Sequence, residues 1–292
     1  MSLKPSDSLL MLDQVTHRYP DGSLGLNGCS LAIERGSRNA LIGANGSGKT
    51  TLFLHTNGLL QATSGTVHYA GQPVDYRRNG LRTLRSKVGL VFQNPDRQLF
   101  SASVAEDVSF GPLNLGLDET TVRQRVKTSL SAVGMLTEAD KAVHNLSFGQ
   151  KKRVCIAGVL AMEPELLILD EPMAGLDPAM QAELLIILDE LYGKGMTIVL
   201  STHDVDFAYH WADRIHLMAA GRCAASFPAT ELPAHAAVLA GSGLPLPAVV
   251  TLHAALLARQ LLPAEPVPRS TEALLAMLPA GENTKETACK IA

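Results

Sequence analysis

The segment "GANGSGKT", Gly43 to Thr50, follows the apolar run "RNALI" and precedes a helical pattern that begins near Lys49. This Gly-x4-Gly-Lys-Thr spacing between a strand and a helix constrains the chain more than any other feature. Its glycines let the backbone curl until several N–H groups point inward, and the helix N-terminus behind them adds partial positive charge. The result is a cradle for a chain of phosphates. Lys49 can reach the outer phosphates, and the Thr50 hydroxyl can ligate Mg²⁺.

A phosphate cradle of this kind needs a hydrophobic strand that ends in an acid, and "LLILDEP" supplies it. Asp170 stands at the strand's carboxyl end, placed to hold Mg²⁺ through water. Glu171 follows at once and points elsewhere, so it can polarise an attacking water. His203 ends another apolar strand, in "LSTHD". It lies one strand beyond Glu171, where the γ-phosphate should sit, and is read as its sensor. Gln93, in "VFQNPD", also follows a strand and reaches either Mg²⁺ or the lytic water.

The rest of the chain agrees with a sheet wrapped by helices. "SLAIERG" alternates as a half-buried strand, and "KVGLVF", "ELLILD" and "MTIVLST" are short buried runs. Between them, Val122, Val126, Leu130 and Val133 share one helical face, as do Leu184, Ile187, Leu188 and Leu191. Strands alternating with helices predict an α/β fold with a mainly parallel sheet. The interval from about Pro95 to Met162 lacks a strong strand and is expected to be a helical insert. After Pro228 the composition shifts towards Pro, Ala and Leu, with an apolar helix over Val249–Leu262, a short helix at "TEALLAML" and a frayed last dozen residues.

At 292 residues the chain is long enough for one large domain with an appendage, and 46% hydrophobic with 18% charged residues is a folded composition. The net charge of −3 argues against a broadly basic surface that coats nucleic acid. No apolar run approaches the roughly 18 residues needed to cross a bilayer, and the N-terminus has no secretory signal pattern. Cys29, Cys155, Cys223 and Cys289 are scattered, as expected of reduced thiols in a cytosolic protein.

The segment "HNLSFGQKKR" has no acid, no cysteine and no metal-ligand spacing. It places a serine and a glycine at the head of a helix, followed by three cations. Read alone, it is an N-capped helix, Ser147 being a good cap.

Taken together, Gly43–Thr50, Gln93, "LSFGQ", "LLILDEP", "GLDP" at Gly175–Pro178 and His203 resemble, in order and spacing, the nucleotide-binding subunit of an ABC transporter. That resemblance implies a P-loop NTPase fold over residues 1–228. Its mainly parallel sheet is joined by an antiparallel portion and by a helical subdomain at about 95–162 that carries the signature motif. A C-terminal helical extension follows at 229–292. It implies ATP and Mg²⁺ as ligands. Asn45, Gly46, Ser47, Gly48, Lys49, Thr50 and Thr51 then form the phosphate cradle, and Thr50, Gln93 and Asp170 hold the metal. Ser147, Gly149 and Gln150 close over the ATP of a second subunit packed head to tail, and Asp177 crosses the interface. Tyr19, in "HRYPDG", is the aromatic that stacks on adenine, or else packs at a strand edge.

The stretch Gln93–Leu117 and the signature region further resemble the energy-coupling-factor class, most of all its cobalt/nickel ATPase. This implies a peripheral subunit on the cytoplasmic face of the membrane. It would pair with a second, identical ATPase and act on a transmembrane T-component and a substrate-capture subunit, without nucleic acid. The cargo would be cobalt or nickel. Vitamin import and a soluble, non-transport ATPase are the alternatives. The resemblance also implies a groove beside Gln93 for arginine-bearing coupling helices, to which Asp96, Glu106 and Asp107 would answer, or else these acids are solvated charges on a helix face. The C-terminal helices would hold two copies together or pack on their own domain.

Overall fold

The computed structural model describes residues 8–278. The last dozen residues, expected from sequence to fray, and Cys289 lie outside these residues. In chain order the elements are β1 (Ser8–Arg18), β2 (Leu24–Glu34), β3 (Arg38–Ile42), α1 (Lys49–Thr56), β4 (Ser64–Tyr69), β5 (Gln72–Pro73), α2 (Arg78–Lys87), β6 (Val88–Val91), α3 (Val104–Asn114), α4 (Glu119–Ala132), α5 (Phe148–Leu160), β7 (Leu166–Leu169), α6 (Pro178–Gly193), β8 (Thr197–Thr202), α7 (Val205–Trp211), β9 (Arg214–Ala219), β10 (Arg222–Pro228), α8 (Ala236–Gly241), α9 (Ala248–Leu257) and α10 (Thr271–Met277).

Two sheets organise them. A four-stranded antiparallel sheet runs β2-β1-β4-β5, and a six-stranded sheet runs β10-β9-β3-β8-β7-β6. In the second, β9, β3, β8, β7 and β6 are mutually parallel and only β10 is antiparallel. The fold is α/β, as expected. Strands β3, β7 and β8 are buried on nearly every residue, which explains their continuous apolar runs; a parallel strand covered on both faces has no polar side.

Two apolar clusters result. One, around Leu12, Leu31, Phe53 and Ile168, lies between the antiparallel sheet and one face of the parallel sheet. The other lines the opposite face and continues through α3, α4 and α5 into the C-terminal helices, reaching Leu232, Leu239, Val249 and Leu274. The C-terminal helices therefore pack on their own domain. The expected helix Val249–Leu262 is shorter: α9 ends at Leu257, and Gln260 turns the chain with φ +60° before Leu262 buries itself. Arg269 fastens this region by donating to the carbonyls of Tyr209 and His210, at 2.8 and 3.1 Å, and to that of Ala212. These carbonyls at the end of α7 have no intrahelical donor, so a guanidinium fork caps them well.

Candidate active site

The strand register brings distant segments together. In the parallel sheet Ile42 pairs with Thr202, Leu169 with Leu200, and Val91 with Leu169. The carboxyl ends of four strands therefore finish side by side. The phosphate loop leaves β3, Asp170 leaves β7, His203 leaves β8 and Gln93 leaves β6 at one edge of the sheet, where ligands of open α/β sheets bind. A cavity of about 420 Å³ opens there. It is lined by the whole of Asn45–Thr51 with Tyr19, Gln93, Asp170, Glu171 and His203.

The loop has the shape its glycines predict. At Gly48 φ is +104°, and a Cβ would stand 2.6 Å from the Gly25 carbonyl oxygen, so only glycine fits. Lys49 is 7% exposed; its ammonium donates to Gly43 O at 2.7 Å and Ala44 O at 3.3 Å, and lies 3.8 Å from Glu171 Oε1. The Ser47 hydroxyl is buried in the loop and has no hydrogen-bond partner. A buried donor without a partner, beside a buried ammonium and a helix N-terminus, suits a phosphate oxygen.

At the acidic side, the Thr50 hydroxyl donates to Asp170 Oδ2 at 2.7 Å, and the Ser201 hydroxyl donates to Asp170 Oδ1 at 2.6 Å. Ser201 in turn accepts the backbone N–H of Glu171 at 2.8 Å. Asp170 is 5% exposed, so both carboxylate oxygens are fixed. Thr50, Asp170 and Gln93 offer only oxygen, the donor chemistry that a hard cation such as Mg²⁺ selects, so the residues present fit that ion. Glu171 sits at φ +44°, an unfavourable region for a residue with a side chain. Its carboxylate lies between the Lys49 ammonium and His203, whose Nδ1 is 3.1 Å from Glu171 Oε2.

Tyr19 lines the cavity, but its hydroxyl is engaged with Thr51 Oγ1 at 2.9 Å and its ring stands edge-on to His17 at 4.7 Å. Thr51 thus meets Tyr19 rather than pointing along the loop. Four residues of the sequence reading lie away from this cavity. Ser147 and Gln150 form a reciprocal capping box at the head of α5, with Gln150 N donating to Ser147 Oγ at 3.3 Å and Ser147 N donating to Gln150 Oε1 at 3.0 Å. Asp177 caps α6 by accepting from Met180 N at 2.8 Å. Gly149 is buried, and a Cβ there would meet Met180 Sδ at 2.7 Å.

The acids expected to await a partner are used internally. Asp107 Oδ2 accepts from the N–H groups of Phe100 and Ser101, both at 2.9 Å, Glu106 closes the capping box of α3, and Asp96 pairs with Lys151 at 2.7 Å. The groove between α2 and the helical insert, about 770 Å³, is lined by Asp107 together with Phe92, Phe100, Phe110 and the α2 arginines Arg78, Arg82 and Arg85. Glu106 and Asp107 are thus engaged by their own loop and helix cap and Asp96 by Lys151 of α5, while Asp107 still lines the groove.

Three residues escaped the sequence reading. Ser201 orients Asp170; its only signal was its place two residues before His203, near the end of β8. Gln98 ties the Gln93 loop to α5, accepting from Phe92 N at 3.1 Å and donating to Cys155 O at 3.4 Å. Lys152, one of three consecutive cations, is 3% exposed rather than solvated. The described cysteines are free thiols; burial pushes Cys29 up to about 11 and Cys155 higher still, which keeps both unreactive.

Comparison with known proteins bears on this geometry. The ABC transporter family profile matches residues 26–174. The energy-coupling factor transporter ATP-binding protein EcfA of Methanocaldococcus jannaschii is 48% identical over 235 residues, covering 80% of this chain and 84% of that protein. EcfA3 of Clostridium perfringens is 44% identical over 244 residues, covering 83% and 86%. Among solved structures, cbiO1 of Clostridium perfringens, part of the ABC transporter complex cbiONQ, superposes with a TM-score of 0.72 at 44% identity, covering 80% of this chain and 94% of that one. A dimeric ATP-binding cassette bound to ADP and Pi superposes at 0.68 with 27% identity, covering 75% and 98%. With a phosphate loop, a buried lysine and paired acids meeting at one sheet edge, and with relatives matched along most of their length, the chain belongs to the ATP-binding subunits of ABC transporters and is an ATPase.

Proposed function

We propose that this chain is the ATPase of an energy-coupling-factor importer and that the imported cargo is a transition-metal ion, cobalt foremost. The observation that carries the ATPase part is the convergence of Lys49, Asp170, Glu171 and His203 from three parallel strand ends on one cavity. The transport part is supported by the energy-coupling-factor relatives and by the likeness to cbiO1 of the ABC transporter complex cbiONQ, and the metal by the resemblance of Gln93–Leu117 and the signature region to the cobalt/nickel class. Among the described residues no helix is long and apolar enough to cross a membrane, so the chain would act as a peripheral subunit on membrane partners, at the cytoplasmic face. The arginine-and-aromatic groove beside Gln93 is the surface offered to them.

In this reading Lys49 and the loop N–H groups hold the outer phosphates, and Thr50, Asp170 and Gln93 would hold Mg²⁺, which when bound would supply charge neutralisation at the phosphates. Glu171 accepts the proton of the attacking water, and His203, bonded to Glu171, keeps the carboxylate turned towards the γ-phosphate position. Tyr19 provides the ring for adenine. Ser147 and Gly149 at the head of α5 serve the nucleotide of a second subunit, with Asp177 at the same interface. Each is a helix-capping or buried position here, so the signature acts as a rigid helix end.

The test is uptake of radioactive cobalt by cells that lack the chain, complemented with wild type or Glu171→Gln. Wild type should restore uptake and the variant should not, with ATP hydrolysis by the purified variant lowered roughly 10²–10⁴-fold while ATP still binds. Restored uptake of a vitamin but not of cobalt would overturn the cargo; near-normal hydrolysis in the variant would overturn the role of Glu171.

A further inference from the structure

Lys152 is a buried cation on the helix that carries the signature motif, yet all its bonds go to a different segment. Its ammonium donates to Pro172 O at 2.5 Å and Ala174 O at 2.7 Å, and lies 3.4 Å from Glu171 O. It also sits 5.3 Å from the centre of the Phe148 ring. Phe148 packs on the same loop: a Cβ added to Gly175 would stand 2.9 Å from the Phe148 ring. Two contacts from one turn of α5 therefore clamp the chain just after Glu171.

That chain is strained where it is clamped. Glu171 has φ +44°, and Ala174 N closes a turn on Glu171 O at 3.1 Å. Such a backbone persists only where its surroundings over-determine it. The carbonyls of Glu171, Pro172 and Ala174, converging on one point, would repel one another, and a buried ammonium with three donors offsets that repulsion. Burying the charge has a cost, seen in a Lys152 pKa pushed down to about 8 by desolvation. A cation kept buried against such a cost, with no carboxylate partner among its hydrogen bonds, marks the carbonyl cluster as what it serves.

The same helix is tied to the other side of the cavity. Lys151 pairs with Asp96 at 2.7 Å, and Gln98 Nε2 donates to Cys155 O at 3.4 Å, joining α5 to the loop of Gln93. A shift of the α5 head would therefore be felt at both Glu171 and Gln93.

We propose that Lys152 is a positioning residue for hydrolysis: from the signature helix it holds the left-handed turn that aims Glu171 at the attacking water. The proposal rests on Glu171 being the base. It gives the head of α5 two roles, with Ser147 facing a second subunit's nucleotide and Lys152 setting this subunit's own base. Lys152 itself does not line the nucleotide cavity, so its loss should leave binding intact.

The experiment compares Lys152→Met, Glu171→Gln and the double variant, with turnover expressed per folded subunit. Lys152→Met keeps the length of the side chain and removes the charge. The expected result is a kcat roughly 10- to 100-fold lower, the usual cost of a misplaced catalytic group, with ATP Kd and KM within about twofold of wild type. In the Glu171→Gln background the same change should have little further effect, because the group it aims is already gone. A Lys152→Met turnover within twofold of wild type overturns the proposal, as does a loss repeated in full on top of Glu171→Gln. A purely structural role would lower the folded fraction and leave kcat per folded subunit unchanged. If Glu171→Gln alone hydrolyses ATP normally, it is the assignment of the base that fails, a result separable from the other two. Should Lys152→Met not fold, Lys152→Gln, which keeps an N–H donor without the charge, carries the same comparison.

Discussion

The Ser201 hydroxyl donates to Asp170 at 2.6 Å while accepting the backbone N–H of Glu171 at 2.8 Å. One side chain on β8 thus fixes both acids that end β7. The pair is buried at the sheet edge, so no water can replace the hydroxyl without moving the strands apart.

Ser201→Ala should therefore loosen the metal side of the site. We expect the Mg²⁺ concentration for half-maximal ATPase activity to rise roughly 10- to 100-fold, the usual effect of removing the partner that orients a metal ligand. ATP affinity measured in EDTA should be nearly unchanged. A Mg²⁺ dependence equal to wild type would show that Thr50 alone orients Asp170.

Ser147 tests whether the signature serves a second subunit. It is exposed and lies outside the cavity of its own chain, whereas Gly149 is packed against Met180, so a charge at Gly149 would disturb the fold as well. Ser147→Glu keeps the packing and places a carboxylate where a neighbour's γ-phosphate would approach; loss of the cap costs about 1 kcal/mol. Calorimetry should give near-normal ATP binding to the monomer, and light scattering should show no ATP-dependent dimer. Binding weakened as severely as by Lys49→Ala, which removes the cation facing the phosphates, would place the signature in its own chain's site.

His216 sets an acid limit on stability. It is 0% exposed, hydrogen-bonded to Asn39 at 3.1 Å and Ser226 at 2.9 Å, and burial pushes its pKa down to about 3. A depressed pKa means that the unfolded chain takes up the proton first. The contribution is complete above about pH 6.5, the unfolded value, and is lost as pH falls towards 3. Between pH 6.5 and 5 the loss should be about 2 kcal/mol, at roughly 1.4 kcal/mol per pH unit for one proton. Urea unfolding of wild type and His216→Gln at pH 7.5 and 5 measures it. The variant should be less stable at pH 7.5 but should lose correspondingly less on acidification.

The phosphate loop, "LLILDEP", "LSTHD" and the run of buried strands could all be read from the residues. Each is a local signal: glycines that permit one backbone curl, apolar runs that demand burial, an acid or histidine placed where such a run ends. That the chain alternates strand and helix, and so builds a parallel sheet, follows from the same short-range patterns. The helical insert was legible too, from the lack of strand-like runs between Pro95 and Met162. What residue order could not supply is register. Pairing Leu169 with both Val91 and Leu200 is what brings Gln93, Asp170 and His203 to one edge. It depends on contacts between segments over 30 residues apart. The same holds for polar partners. Asp96, Glu106 and Asp107 look like free acids in sequence, and Lys151, Lys152 and Arg153 look like one solvated cationic run. Tertiary structure sends Lys151 to Asp96, Arg153 to Glu183 and Lys152 into a nest of carbonyls behind Glu171. A charge finds its partner by which carboxylate or carbonyl the fold brings within hydrogen-bond reach, and only the packed chain decides that.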